Sequence, residues 1–170
     1  MNAASLQEIK KELQQLSREE VADLCLSLAR YKKDNKELLG CLLFDAHDKP
    51  QFVAGVKEEI DEYIEEVKPQ KNLYLVKKSL RKVLRVLTKY SKYVADKNLI
   101  AEIYIHFCHT MKNSGIPYHN NTMLVNLYNQ QLKKIQALVE TLHEDLQSDF
   151  AKEIEELKEQ TGTKKKWFGL

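Results

Sequence analysis

The chain has 170 residues, 27 basic and 25 acidic side chains for a net charge of +2, 43% hydrophobic residues, and only 5 glycines and 3 prolines. Helix formers dominate and turn formers are scarce, which disfavours a sheet protein, and the length suits one domain with a real core. The near-balance of charge excludes a global pull toward nucleic acid or an anionic membrane, and the longest apolar run, Leu38 to Phe44, is far short of the ~20 residues of a membrane span.

The first residues, Met1 to Ser5, lead directly into a charged amphipathic pattern with no basic start and no apolar h-region, so the expected location is cytoplasmic. Leu6, Ile9, Leu13 and Leu16 share one face of a first helix. Ser17-Arg18-Glu19-Glu20 has capping-box spacing and starts a second helix, whose core face is Val21, Leu24, Cys25, Leu28 and Ala29. The short linker between them predicts an antiparallel hairpin. A third helix through Leu38, Leu39, Leu42 and Leu43 is apolar enough to sit centrally, and the polar run Asp45 to Pro50 ends it.

The opening pattern, Lys10-Lys11-Glu12-Leu13, Leu16-Ser17-Arg18-Glu19-Glu20-Val21, Leu24 and Leu28, resembles the start of a family of uncharacterised bacterial all-helical proteins. The likeness covers about the first quarter of the chain. It implies a helical fold, and the family brings no activity with it.

Pro50 suits the first turn of a fourth helix, burying Phe52, Val53, Val56, Ile60, Tyr63, Ile64 and Val67. The fifth, Lys71 to Tyr93, buries Leu73, Val76, Leu80, Val83, Leu84 and Leu87. The sixth begins near Asp96 and turns Leu99, Ile100, Ile103, Tyr104, Phe107, Cys108 and Met111 inward; Asn113-Ser114-Gly115 stops it and Pro117 prevents resumption. Asn120 or Asn121 caps a seventh helix that runs without glycine or proline to Gln160, which at about 1.5 Å per residue would span roughly 60 Å.

Cys25, Cys41 and Cys108 are odd in number, widely spaced and set in apolar contexts, which predicts reduced core thiols rather than disulfides or a zinc knuckle. The whole reads as all-α, an irregular bundle or short stack of about seven helices. Residues 1–160 form the single expected domain, 145–160 being the part free to protrude, and 161–170 a flexible basic-aromatic tail.

Four constellations are candidates for function. Lys78, Arg81, Lys82, Arg85, Lys89 and Lys92 fall within one sector of the fifth helix and suit an anion, a nucleic-acid backbone or an acidic protein partner, with Tyr74, Tyr90 and Tyr93 near its edges. The competing reading is that this basic helix and the acidic fourth helix neutralise each other in a hairpin. Glu102, His106 and His109 have the i, i+4, i+7 spacing of metal ligands, but on the side opposite the apolar face they read as solvated. The tail residues Lys164, Lys165, Lys166, Trp167, Phe168 and Leu170 suit a partner groove or an anionic bilayer. The stripe Leu146, Phe150, Ile154 and Leu157 is one residue wide, suited to pairing with a second copy; it slips out of a heptad at Asp149 and Glu153.

No glycine-rich phosphate loop, nucleophile elbow or helical His-Glu-x-x-His pattern occurs, and no cofactor, metal or small-molecule ligand is expected. The expected function is a protein-interaction or scaffold role, with self-association through the long C-terminal helix. A nucleic-acid-associated protein using the fifth helix is the alternative, and an enzyme with a composite site ranks last.

Overall fold

The computed structural model describes residues 4–45, 48–67, 72–94 and 96–158, which are helical with no strand among them. The tail positions Lys164, Lys165, Lys166, Trp167, Phe168 and Leu170 lie outside these residues. Where the sequence suggests one domain, the chain divides into two compact units, residues 1–47 and 48–170.

The first unit holds α1 (Leu6–Leu13), α2 (Arg18–Tyr31), α3 (Lys33–Gly40) and a π-helical turn, Cys41–Asp45. Both α1 and α2 begin with complete capping boxes: the Ser5 and Ser17 hydroxyls accept from the backbone N–H of Glu8 and Glu20, whose carboxylates accept in return from the two serine N–H groups. α2 packs on α3, whereas α1 has no comparable partner, so the expected hairpin of the first two helices does not close. The third helix is not central either. Leu42 and Leu43 are exposed, and of this unit's described side chains only Cys41 is buried.

The second unit holds α4 (Lys49–Val67), α5 (Leu73–Tyr93), α6 (Lys97–Asn113), a 3-10 turn (Tyr118–Asn120), α7 (Thr122–Val139) and α8 (Glu144–Lys158). α6 lies at its centre, packed on α4, α7 and α8 and more lightly on α5. Cross-helix contacts fix the directions. Lys49 meets Asp96 and Lys57 meets Glu102, so α4 and α6 run parallel; Lys82 meets Glu66 while Tyr90 meets Glu59, so α5 runs against α4. The apolar stripes read from the sequence meet in one core, including Ile60, Ile64, Leu80, Leu87, Phe107, Met111, Leu124, Tyr128 and Ile135. Leu73 is exposed and Leu84 only partly buried, at the end and on the flank of the α5 stripe. Gly115 sits at φ 76, the left-handed backbone that ends α6 and that a side chain would strain.

The predicted 40-residue C-terminal helix is instead two helices. α7 ends at Val139 and α8 starts at Glu144, with side chains rather than glycine or proline making the break. The Gln147 amide donates to the carbonyls of Leu142 (2.9 Å) and Glu140 (3.3 Å), and the Thr141 hydroxyl to that of Leu138 (2.7 Å). α8 then folds back. Ile154 and Leu157 are buried in the unit's own core, Phe150 packs against it and Leu146 is half-buried. The stripe expected to protrude or pair with a second copy is therefore occupied within its own chain, because burying those apolar side chains stabilises the unit more than extending the helix into water.

Candidate interaction surfaces

Five of the six stripe positions on α5 are exposed and Lys89 is half-buried. They do not act alike. Lys82 pairs with Glu66 at 3.7 Å and lies 4.1 Å above the Tyr63 ring, and Lys89 lies 4.8 Å above the Tyr90 ring. Tyr90 also donates its hydroxyl hydrogen to Glu59 at 2.7 Å and meets Phe52 and Tyr93 edge-on. The α4 side of the stripe is thus partly neutralised, and two of the aromatic rings at its edge already have partners. Lys78, Arg81, Arg85 and Lys92 form no ion pair with a described residue, which leaves the far side of α5 positively charged.

On that far side α5 and α7 flank α6 without packing closely on each other, and a groove of about 480 Å³ opens between them. Lys77, Arg81 and Leu84 form one wall, and Met123, Asn126, Leu127 and Gln130 belong to the other. Lys77 was no part of the predicted stripe. It is off the solvent-facing sector on a helical wheel and lines the groove because α7 stops short of covering it.

Glu102, His106 and His109 do not form a solvated stripe. Each reaches a neighbouring helix: Glu102 meets Lys57 on α4 at 2.6 Å, His106 meets Asp61 on α4 at 2.8 Å, and His109 meets Glu153 on α8 at 4.0 Å. Thr110 adds a hydroxyl bond to Asp61 at 2.9 Å. These partners lie some 45 positions away in sequence, so no local spacing signals them. An open groove of about 520 Å³ runs beside the three residues, yet no group of three or more His, Cys, Asp or Glu among the described residues is placed to hold a metal. Asp61 and Thr110 both approach the Nε2 edge of His106, at 2.8 and 3.3 Å. A nucleophile relay needs its orienting carboxylate on the opposite ring nitrogen, so this trio is built as an interhelical tie.

Cys108 is fully buried, and burial pushes its thiol well above the usual range; Cys41 is buried and Cys25 half-exposed, all three as free thiols. No described helix is long and apolar enough to cross a membrane.

The first unit presents a different surface. Leu6, Leu28, Tyr31 and Phe44 are 86, 60, 85 and 78% exposed, and Ile9, Leu13, Leu16, Leu24, Leu26, Leu42 and Leu43 are also open. Isolated apolar side chains at a surface are ordinary; this many on two short helices, their linker and one turn are not.

No family model, curated protein or solved structure matches the chain. The resemblance of the opening helices rests on their residues alone.

Proposed function

We propose that the chain is a helical protein-interaction module that self-associates through the apolar faces of its N-terminal unit. The observation carrying this reading is that α1, α2 and the π-helical turn expose most of their large apolar side chains, while Leu38 and Leu39 of α3 are half-buried. A unit of fewer than ~50 residues without a closed core is marginal by itself and gains stability from a covering surface. A second copy supplies a surface of the same kind. Charge does not oppose this pairing, because Lys10, Lys11, Arg18, Arg30, Lys32, Lys33 and Lys36 are offset by Glu8, Glu12, Glu19, Glu20, Asp23, Asp34 and Glu37.

Light scattering on the full chain tests the reading. The expected mass is that of a dimer or higher species, and Leu24→Glu with Leu28→Glu shifts it toward the monomer while the far-UV spectrum stays helical. A wild-type mass that is monomeric at every concentration overturns self-association.

The nucleic-acid reading has narrower support, from Lys78, Arg81, Arg85 and Lys92 on a helix with no acidic residue. The engagement of Lys82 and Lys89 with α4 and α5 rings weakens it.

A further inference from the structure

The geometry points to the α5/α7 groove as the docking site for an acidic amphipathic helix of a protein partner. This rests on the reading that the chain works through protein contacts, but it concerns a different surface and a different occupant.

Charge complementarity selects the occupant. Neither α5, Leu73–Tyr93, nor α7, Thr122–Val139, contains a single Asp or Glu, so these two helices carry only positive charge in a chain whose charges nearly cancel as a whole. Lys77 and Arg81 stand one helical turn apart at the groove and have no acidic partner among the described residues, with Lys78 and Arg85 on the adjacent exposed surface. An anionic ligand meets uncompensated positive charge along the whole wall, whereas a basic one meets only repulsion.

The groove's apolar lining selects a helix over a phosphate backbone. Leu84 on the α5 wall and Met123 and Leu127 on the α7 wall are partly buried and give the groove an apolar share of its lining. Apolar side chains spaced one turn apart can occupy such a lining, and flanking carboxylates can then reach Lys77 and Arg81. Lys77 to Leu84 covers two helical turns, about 10 Å at 1.5 Å per residue, which fits a short stretch of helix. Nucleic acid would bring phosphates to the basic wall, but its bases stack on aromatic rings, and the described lining of the groove holds none. Of the tyrosines near the basic stripe, Tyr90 faces α4, against Phe52 and Glu59, while Tyr74 is exposed at the start of α5 but is no part of the groove lining.

Fluorescence anisotropy with three labelled probes tests this on the full chain: a designed helix with a leucine stripe and glutamate flanks, its lysine-flanked counterpart, and single-stranded DNA. The glutamate-flanked helix binds tightest, and the Lys77→Glu/Arg81→Glu double variant weakens it by roughly tenfold or more, a loss of about 1.4 kcal/mol or greater. Both side chains reach solvent, so circular dichroism of the variant stays native. A second variant, Met123→Asp, weakens the same probe from the opposite wall. Equal binding by wild type and double variant, or preference for the lysine-flanked helix or the DNA, overturns the proposal. Self-association is read separately as mass, so one idea can fail while the other stands.

Discussion

The Tyr128 hydroxyl donates a hydrogen bond to the main-chain carbonyl of Leu157 at 3.2 Å, joining the middle of α7 to the last turn of α8. Helix C-termini leave carbonyls without intrahelical partners. Here two of them are met by other helices, since Lys112 of α6 donates to the neighbouring Glu156 carbonyl. Tyr128 is itself fixed by stacking on Tyr118, with ring centres 5.0 Å apart, and burial raises its phenol far above the usual range, keeping it a donor. The end of α8 is therefore clamped.

Tyr128→Phe removes the donor and leaves a carbonyl beside a buried ring edge without its partner. The expected loss is about 1–3 kcal/mol in urea unfolding of the second unit. Leu157→Ala, at a fully buried site, costs more, about 2–5 kcal/mol. If both variants unfold at the wild-type midpoint, α8 is not docked as described.

Gln147 makes two of the hydrogen bonds that hold the break between α7 and α8. Gln147→Ala removes both amide bonds to the Leu142 and Glu140 carbonyls and is expected to cost about 1 kcal/mol. Gln147→Glu should cost more at neutral pH, because a carboxylate cannot donate and would face carbonyl oxygens. A Glu variant as stable as wild type would show that the turn is set by other contacts.

Asp96 caps α6, accepting from the Asn98 N–H at 3.1 Å, and pairs with Lys49 at the start of α4. Partial burial would raise its carboxyl, but the Lys49 ammonium and the cap N–H groups outweigh that and hold it below the usual range. A depressed folded value means a contribution fully present above the unfolded value, near 4, and lost as pH falls through the lower folded one. Asp96→Ala is expected to cost roughly 0.5–2 kcal/mol at pH 7, with the gap from wild type narrowing in acid below about pH 4. Paired denaturation curves at neutral and acidic pH measure it; a gap that widens in acid would contradict the assignment.

Local grammar made much of the second unit legible. The stripes from Val53 to Val67 and from Val76 to Leu87 follow helical periodicity and lie in the core, and the Gly115 stop and Asn121 cap occur where expected. In the first unit the Ser17–Glu20 box was equally readable, yet a capped amphipathic helix says nothing about whether its apolar face finds a partner, and Leu24 and Leu28 do not. The α7/α8 break escaped because its signal is a glutamine amide hydrogen-bonding backward, a residue type with no breaking tendency of its own. The roles of Glu102, His106 and His109 escaped for a tertiary reason: a polar face opposite one apolar stripe looks solvated until a second helix, here α4, is laid along it. The groove at Lys77 and Arg81 was invisible for the same reason, since it exists only where two helices fail to meet.

The three cysteines give a test of burial that spans both units. Cys25 is half-exposed on α2, Cys41 is buried in the following turn, and Cys108 is fully enclosed at the centre of the second unit. A thiol reacts as its thiolate and only when a reagent reaches it. Under native conditions an aromatic disulfide reagent should label Cys25 first. Cys108 should label only as fast as the second unit opens, and moderate alkali should not rescue it, because burial pushes its thiol well above the usual range. Tyr128→Phe should then accelerate Cys108 labelling in proportion to its loss of stability, while Cys25 labelling stays constant, since opening in the fast-reclosing regime tracks the equilibrium population of the open form. Labelling of Cys108 at the rate of Cys25 in the intact chain would mean that α6 is not enclosed by α4, α7 and α8.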